Sequence, residues 1–281
     1  MDYEIVNTLR PPLRSWRAQK ERLQRENGIL ITLAPDINTY QKSLNEHVNV
    51  INIIDRLTKR SYDPTTFLAA NQIPLRRGVK TTRDQEQLVI VRGRRTIGRV
   101  EFYENSVDHV HLVTYLDKDD EPQLVEEYAE DGKLFSRSEY LNNQLQSRNF
   151  YNDAAEIVVT FTYRNNTVHA VTVEDPNTRQ SIISYSSLAD FMTSQVAEIV
   201  QPDDWVGVLY MDVELFALAK TLSTNVLYME ENPINFDGKF QTTLAAILTN
   251  EIQYIRYVVV DHAKAAQVAE TDLPTDKLVI K

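Results

Sequence analysis

The chain has 281 residues, of which 40 are acidic and 30 are basic, so its formal net charge at pH 7 is −10. A field of that sign repels phosphate backbones, so nucleic acid is not expected as a partner. No apolar run approaches the roughly 20 residues that span a bilayer, the first residues lack the apolar core of a secretory signal, and the absence of cysteine excludes disulfides and thiol chemistry.

Residues 1–78 are predicted to form an α/β segment. Apolar runs and amphipathic spacing predict a strand, a basic helix, a second strand and a long helix, at residues 3–6, 13–26, 28–33 and 36–59 in turn. Asn27 and Gly28 form a C-cap signal that ends the first helix. The basic side chains that follow are interpreted as solvated surface rather than as a ligand site: Lys59, Arg60, Arg76 and Arg77.

Residues 79–178 change to a period of two, which is typical of half-buried strands. Turn signals such as Glu104-Asn105, Asp131-Gly132 and Asn142-Asn143 recur at short intervals and suit tight hairpins. The segment is therefore predicted to be an antiparallel meander of seven or eight strands. The free edges of such a sheet favour self-association, so a homo-oligomer formed through the meander is expected.

Tyrosines crowd in the meander, and four are candidate contacts for a sugar or a partner protein: Tyr103, Tyr115, Tyr128 and Tyr140. For any single tyrosine, packing against the sheet is the favoured interpretation. His109 and His111 share one face of a predicted strand. No third ligand accompanies them, so we predict a polar sheet face and no metal site.

Residues 179–281 alternate helix and strand, which predicts a parallel sheet covered by helices. The predicted helices are residues 186–199, 213–222, 240–254 and 263–270. The predicted strands are residues 205–210, 225–229, 257–260 and 277–280.

Ligands of parallel sheets bind beyond the carboxyl ends of the strands. The polar residues expected at this edge are Asp212, Glu230, Glu231, Asn232, Asp261 and His262. Glu230, Glu231 and Asp261 are candidates for general acid/base catalysis, and His262 beside Asp261 is a candidate general base. Helix capping and surface solvation are the alternative interpretation of these side chains.

No complete catalytic motif accompanies these residues. The glycine-rich loops that hold nucleotide phosphates are absent, as are the GxSxG and HExxH motifs, and no cofactor is predicted.

Several stretches carry a family resemblance: YEIVNTLRPPLRSWRAQKERL, VNVINIIDRL, GRRTIGRVEFYENSVDHVHLVTYLD and YIRYVVVDHAKAAQVAETDLPTDKLVIK. They are similar to the glycosyltransferase-like Asp protein of the accessory Sec system. That family is related to teichoic-acid and serine-rich-adhesin glycosyltransferases with an inserted extended β-domain. The resemblance implies an α/β fold, with a Rossmann-like parallel sheet that forms the N-terminal half of a GT-B fold and an inserted antiparallel β-meander. It implies three segments, with residues 1–78 and 179–281 completing one sheet around residues 79–178.

The same resemblance implies a non-catalytic protein. Active transferases more typically carry a His-rich motif where this chain has residues 229–232, and a Thr/Gln pattern where it has Asp261 and His262. The domain that carries the nucleotide-sugar site in this fold is not expected within these 281 residues.

The residues and the resemblance leave three candidate functions. The first is a non-catalytic component of accessory secretion, cytoplasmic and peripheral at the inner membrane face, whose partners are accessory secretion proteins and a glycosylated serine-rich adhesin. The second is the acceptor-binding half of a glycosyltransferase that transfers glucose or N-acetylglucosamine to a teichoic acid or an adhesin, with Glu230, Glu231 or Asp261 in contact with the acceptor. The third is a β-sheet interaction module.

Overall fold

The computed structural model describes residues 1–84, 87–104 and 106–281. The chain divides into two compact units, one formed by residues 1–53 and 189–281 and the other by residues 54–188. We call these the parallel-sheet unit and the meander unit. Of the expected Glu104-Asn105 turn, Asn105 lies outside the described residues.

The first part of the chain forms β1 Asp2–Val6, α1 Arg14–Glu26, β2 Ile29–Thr32, α2 Thr39–Glu46, β3 Asn49–Asn52 and α3 Ile53–Thr58. A short 3-10 helix, Ala70–Gln72, precedes ten strands: β4 Val79–Asp84, β5 Gln87–Arg92, β6 Arg95–Phe102, β7 Val110–Leu116, β8 Pro122–Tyr128, β9 Leu134–Leu141, β10 Gln144–Tyr151, β11 Ile157–Arg164, β12 Thr167–Glu174 and β13 Ser181–Tyr185. The last part forms α4 Leu188–Ile199, β14 Trp205–Val208, α5 Val213–Phe216, β15 Thr224–Tyr228, α6 Thr242–Leu248, β16 Ile255–Val260, α7 His262–Ala269 and β17 Leu278–Ile280.

The parallel-sheet unit contains, in its described residues, seven parallel strands in the order β17-β16-β15-β14-β1-β2-β3. The first and last parts of the chain therefore complete one sheet, with β1 paired to β14. The inner strands β1, β2, β14, β15 and β16 carry buried apolar side chains, as expected for a parallel sheet that is covered by helices. The predicted α/β fold is confirmed.

A buried charge sits at the centre of this sheet. The carboxylate of Glu4 on β1 accepts hydrogen bonds from Arg22 Nε at 2.5 Å, Arg22 Nη2 at 3.0 Å and Gln19 Nε2 at 3.0 Å. Glu4 is only 5% exposed. A Cβ at Gly207 on the neighbouring strand β14 would lie 2.8 Å from this carboxylate, so the close approach requires glycine. The Arg22 guanidinium also lies 3.8 Å from the centroid of the Tyr228 ring on β15.

The two tryptophans of the chain lie in the parallel-sheet unit in different surroundings. Trp16 on α1 is 5% exposed, and its Nε1 donates to Glu46 Oε2 at 2.8 Å. Trp205 on β14 is 49% exposed and stacks on Tyr257, with ring centroids 6.1 Å apart. One indole therefore belongs to the core and the other lies at the surface.

The meander unit is built on one antiparallel sheet, whose strands β4 to β13 lie in chain order across the described residues. Asn142-Asn143 and Asn165-Asn166 take positive φ at hairpin turns, as the sequence predicts for both pairs. Gly132 has φ +80°, and a Cβ there would lie 2.4 Å from the backbone nitrogen of Leu68.

The buried side of this sheet changes from one end to the other. On β5 to β7, Ile90, Val100 and Val113 pack in a cluster with Ile73. The same face carries the polar residue Glu126 on β8, because Val113 and Glu126 are register partners. Further along, the apolar side chains lie on the opposite face, where Phe150 contacts Phe135 and Phe161 with ring centroids 5.7 and 5.0 Å apart. From β8 onward the first face therefore carries the polar register partners Glu126, Arg137 and Asn149 beside apolar side chains such as Leu124.

Several predicted elements were wrong. The single helix over 36–59 is replaced by α2, β3 and α3, because His47 takes a left-handed φ of +54° that ends α2 and the β-branched run that follows pairs with β2. The helices expected over 213–222 and 240–254 are the shorter α5 and α6. The described meander has ten strands rather than seven or eight, because the polar β4 and the short β13 do not show clear apolar alternation.

None of the helices in the described ranges is both long enough and apolar enough to cross a membrane.

Arg22→Met removes the partner of the buried Glu4 carboxylate. Because an unpaired buried charge is costly, we expect a loss of about 3–5 kcal/mol in the free energy of unfolding, measured by urea denaturation. Arg17→Met on the same helix is the control, since Arg17 pairs with Glu21 at the surface and its loss should cost about 0.5 kcal/mol or less. Equal losses for the two variants would contradict the central role of Glu4.

Candidate functional site

The parallel sheet has a topological switch point between β1 and β14. The strands β1, β2 and β3 follow one another in one direction, and β14 to β17 follow in the other. The loops that leave the carboxyl ends of β1 and β14 therefore diverge and open a crevice, which is where ligands bind in sheets of this kind. We call it the switch-point crevice.

The crevice is a cavity of about 270 Å³. Its polar lining includes Asn7 and Ser15 from the chain after β1, and Tyr210, Asp212 and Glu214 from the chain after β14. Asp212 was predicted at this edge. The other four were missed, because only the strand order reveals that these two loops are neighbours.

Most polar groups in the crevice hold the protein's own chain. Glu214 Oε1 accepts a hydrogen bond from the backbone N–H of Asn7 at 2.9 Å, and Glu214 is buried. The Tyr210 hydroxyl donates to Ser15 Oγ at 2.8 Å. Asp212 differs, because it is exposed and its carboxylate makes no hydrogen bond or ion pair within the described part of the chain. Asp212 is thus the acidic group here that remains available to a ligand.

Glu230, Glu231 and Asn232 follow β15. Glu231 Oε2 accepts from the backbone N–H of Met211 at 2.8 Å, so this carboxylate fixes the loop that carries Asp212. Glu230 and Asn232 are exposed, and the backbone carbonyl of Asn232 accepts from Gln241 at 2.9 Å. The structure therefore brings Glu231 to the Asp212 loop and leaves Glu230 in solvent.

Asp261 and His262 lie after β16, two strands away from β14. Asp261 is the N-cap of α7, where its side chain accepts from the backbone N–H of Lys264 at 2.8 Å and from Lys264 Nζ at 2.7 Å. The hydrogen bond with the Lys264 side chain is the main cause that holds the pKa of Asp261 below its usual value. A carboxylate so stabilised in its charged form is a poor general acid at neutral pH. His262 is exposed in the first turn of α7.

The candidate tyrosines belong to the meander unit, and three of their hydroxyls bond within the sheet. Tyr128 is buried, and its hydroxyl donates to Glu126 Oε2 at 2.9 Å. The Tyr115 hydroxyl lies 3.5 Å from the same oxygen, and burial together with the Glu126 charge raises the pKa of Tyr115 to about 12. The Tyr103 hydroxyl donates to the backbone carbonyl of Tyr128 at 2.8 Å. Tyr140 is half-buried at the edge of a cavity in the same unit.

His109 and His111 lie against the ring of Tyr103, with each pair of ring centroids 4.5 Å apart. Across residues 1–84, 87–104 and 106–281, no group of three or more histidine, aspartate or glutamate side chains is placed to hold a metal ion.

Neither a model of a known protein family nor a curated protein sequence matches the chain. Solved structures match it over its whole length. The pneumococcal O-GlcNAc transferase GtfA, solved in complex with UDP and GlcNAc, is similar with a TM-score of 0.76 and 12% identity, and the match covers 100% of this chain and 59% of that one.

Two further structures are similar. In the structure of accessory secretory protein 1, 2 and 3 in Streptococcus pneumoniae, one chain matches with a TM-score of 0.73 and 11% identity, covering 100% of this chain and 61% of that one. In the glycosylation-associated protein complex (Gap123) from Streptococcus agalactiae, the corresponding values are 0.70, 13%, 100% and 60%.

The likeness in fold confirms the structural part of the resemblance that the sequence indicates. The chain shares its fold with GT-B glycosyltransferases and with accessory secretory proteins. It spans about three fifths of the length of the solved structures it matches.

Glu231→Ala should destabilise the protein, because it leaves the backbone N–H of Met211 without its acceptor. We expect a loss of about 1–3 kcal/mol in the free energy of unfolding. The neighbouring Glu230→Ala is the matched control, since Glu230 is exposed, and it should leave the free energy of unfolding unchanged. The two values come from chemical denaturation, and a larger loss for Glu230→Ala would contradict the roles given to the two residues.

Asp261→Asn tests the charged cap of α7. Because the folded pKa of Asp261 is lowered, its stabilising effect is complete above the unfolded pKa and is lost as the pH falls through the folded pKa. The melting temperature of the wild type should therefore exceed that of the variant at neutral pH, and the difference should shrink in acid. A difference that grows on acidification would contradict this assignment.

Proposed function

We propose that the chain is a non-catalytic, GT-B-like binding component of adhesin glycosylation or secretion. It binds accessory secretion proteins and the glycans of a serine-rich adhesin, and it acts in the cytoplasm at the inner face of the membrane. The solved structures of similar fold include accessory secretory proteins and the Gap123 complex, which supports protein partners.

The state of the carboxylates at the carboxyl edge of the sheet carries this proposal. Glu214, Glu231 and Asp261 each accept a backbone N–H of the chain itself. A general acid or base must be free to exchange its proton with a substrate. Carboxylates that hold loops and a helix cap in place serve the fold, which supports the non-catalytic proposal. Within the described chain, Asp212 and Glu230 are the predicted edge carboxylates without such a bond.

The second candidate is the acceptor-binding half of an active glycosyltransferase. Asp212 favours it, since this exposed carboxylate lines the switch-point crevice. The fold likeness to the O-GlcNAc transferase GtfA points in the same direction. In this case Asp212 would bind a hydroxyl of the acceptor or the sugar.

The third candidate, a β-sheet interaction module, draws support from β13 at the edge of the meander. Ile182 and Ile183 on this strand are 66% and 44% exposed. An apolar edge strand of this kind pairs readily with another chain, which favours self-association through the meander.

Titration of the chain with a GlcNAc-bearing serine-rich peptide distinguishes the first two functions, and titration with UDP-glucose and UDP-N-acetylglucosamine tests for a donor site. With the two nucleotide sugars we expect neither heat of binding nor release of UDP. We expect the glycopeptide to bind, and Asp212→Asn should leave its affinity unchanged. Calorimetry and an assay for free UDP provide the readouts.

The control is Asp203→Asn, at an exposed position just before β14 and therefore at the opposite edge of the sheet. Release of UDP would overturn the non-catalytic proposal. So would glycopeptide binding that Asp212→Asn abolishes and Asp203→Asn leaves unchanged. Either result would support the acceptor-binding half of a transferase.

A further inference from the structure

The meander unit contains a groove of about 730 Å³ on the sheet face that carries Tyr115 and Leu124. One part of it is lined by Pro74, Leu75, Arg76 and Val79, and another by the turn after β7 with the strands β8 and β9. We call it the basic groove. It lies where the apolar side of the sheet gives way to the polar side.

Basic side chains outnumber acidic ones in its lining, although the whole chain has a net charge of −10. The basic side chains are Arg76, Arg92, Arg95, Lys118 and Arg137. The acidic side chains are Asp117, Glu126 and Glu139. Five against three leaves an excess of two positive charges in the lining, although Lys118 is paired with Asp119 at 3.8 Å. Charges of one sign in a concave surface attract an oppositely charged ligand.

The buried carboxylate is already neutralised from within. Glu126 accepts from Arg137 and, at 2.9 Å, from the Tyr128 hydroxyl. Asp117 Oδ1 accepts the backbone N–H groups of Asp119 at 2.8 Å and Glu121 at 3.1 Å, which closes the turn after β7. These groups shape the groove and leave the cations at its rim in excess.

Arg76 and Arg92 are the available cations. Both are exposed, and neither guanidinium group makes a hydrogen bond or an ion pair with any residue the structure describes. Arg95 is partly engaged, since its Nη2 donates to the backbone carbonyl of Asp117 at 2.5 Å. A free guanidinium presents a planar pair of N–H donors that matches the two oxygens of a carboxylate.

Apolar side chains also line the groove. Leu75, Ile97 and Leu124 are half-buried there. A polyphosphate gains nothing from apolar surface. An extended peptide points successive side chains in opposite directions, so an acidic-apolar alternation presents aliphatic groups to these residues while its carboxylates reach the arginines.

We propose that the basic groove binds an acidic, extended polypeptide segment of a partner protein, with Arg76 and Arg92 paired to its carboxylates. The proposal rests on the proposed binding function and adds to it the chemistry of one partner. Nucleotide-sugar turnover tests the parallel-sheet unit, and peptide binding tests the groove, so the two can fail separately.

Fluorescence anisotropy with a labelled peptide of alternating glutamate and valine tests the groove in the full chain. We expect binding that weakens as salt is raised, because exposed charges are screened. The double variant Arg76→Gln with Arg92→Gln should lose about tenfold in affinity, which corresponds to about 1.4 kcal/mol. Neither side chain has a partner within the described chain, so the fold should be retained, as judged by an unchanged melting temperature.

Arg99→Gln is the matched control. Arg99 is exposed on β6 and pairs with Thr114, next to Tyr115, so it lies on the opposite face of the sheet and should not affect affinity. A peptide of alternating lysine and valine should not bind. Equal affinity of wild type and double variant would overturn the proposal, and so would tighter binding of inorganic polyphosphate that depends on the same two arginines.

Discussion

The buried Glu4 carboxylate is the constraint on which the parallel-sheet unit depends. A buried carboxylate is tolerated only if it is paired with an opposite charge and its oxygen atoms accept hydrogen bonds. Arg22 and Gln19 meet this requirement from α1, and Gly207 leaves the room for it on β14. The same Arg22 lies over the Tyr228 ring on β15. One ion pair thus links α1 to three strands beside the pairing of β1 with β14, where the order of the strands reverses.

Charged side chains have different partners in the two units. At the switch-point crevice and beside it, carboxylates such as Glu214 and Glu231 are used to hold backbone, so their chemistry is structural. In the basic groove of the meander unit, the arginines Arg76 and Arg92 are left without partners among the described residues. The bonded carboxylates therefore stabilise loops of the parallel-sheet unit, whereas the two arginines of the meander unit are exposed to solvent.

Local patterns predicted much of the fold and little of the site. The basic helix ends at Asn27, which takes the left-handed conformation that its residue type favours, and Asn142-Asn143 does the same in a hairpin. The apolar run around Val50 was wrongly predicted to be helical, because β-branched residues fit helical spacing and strand pairing equally well. The pairing with β2 decides between the two. The crevice joins Asn7 to Glu214, 207 positions apart, and no local pattern encodes that contact. Asp212 was found because it follows a strand, and Ser15 was missed because its role depends on strand order.

The distribution of indole rings has a practical consequence. Both tryptophans lie in the parallel-sheet unit, and residues 54–188 contain none. Tryptophan emission is therefore a signal of that unit alone, with a core contribution from Trp16 and a quencher-accessible one from Trp205. Circular dichroism of the β-sheet, by contrast, is dominated by the meander unit with its ten strands in the described chain. Whether the two optical transitions coincide on heating reports directly whether the inserted sheet and its host unfold as one cooperative body or as two.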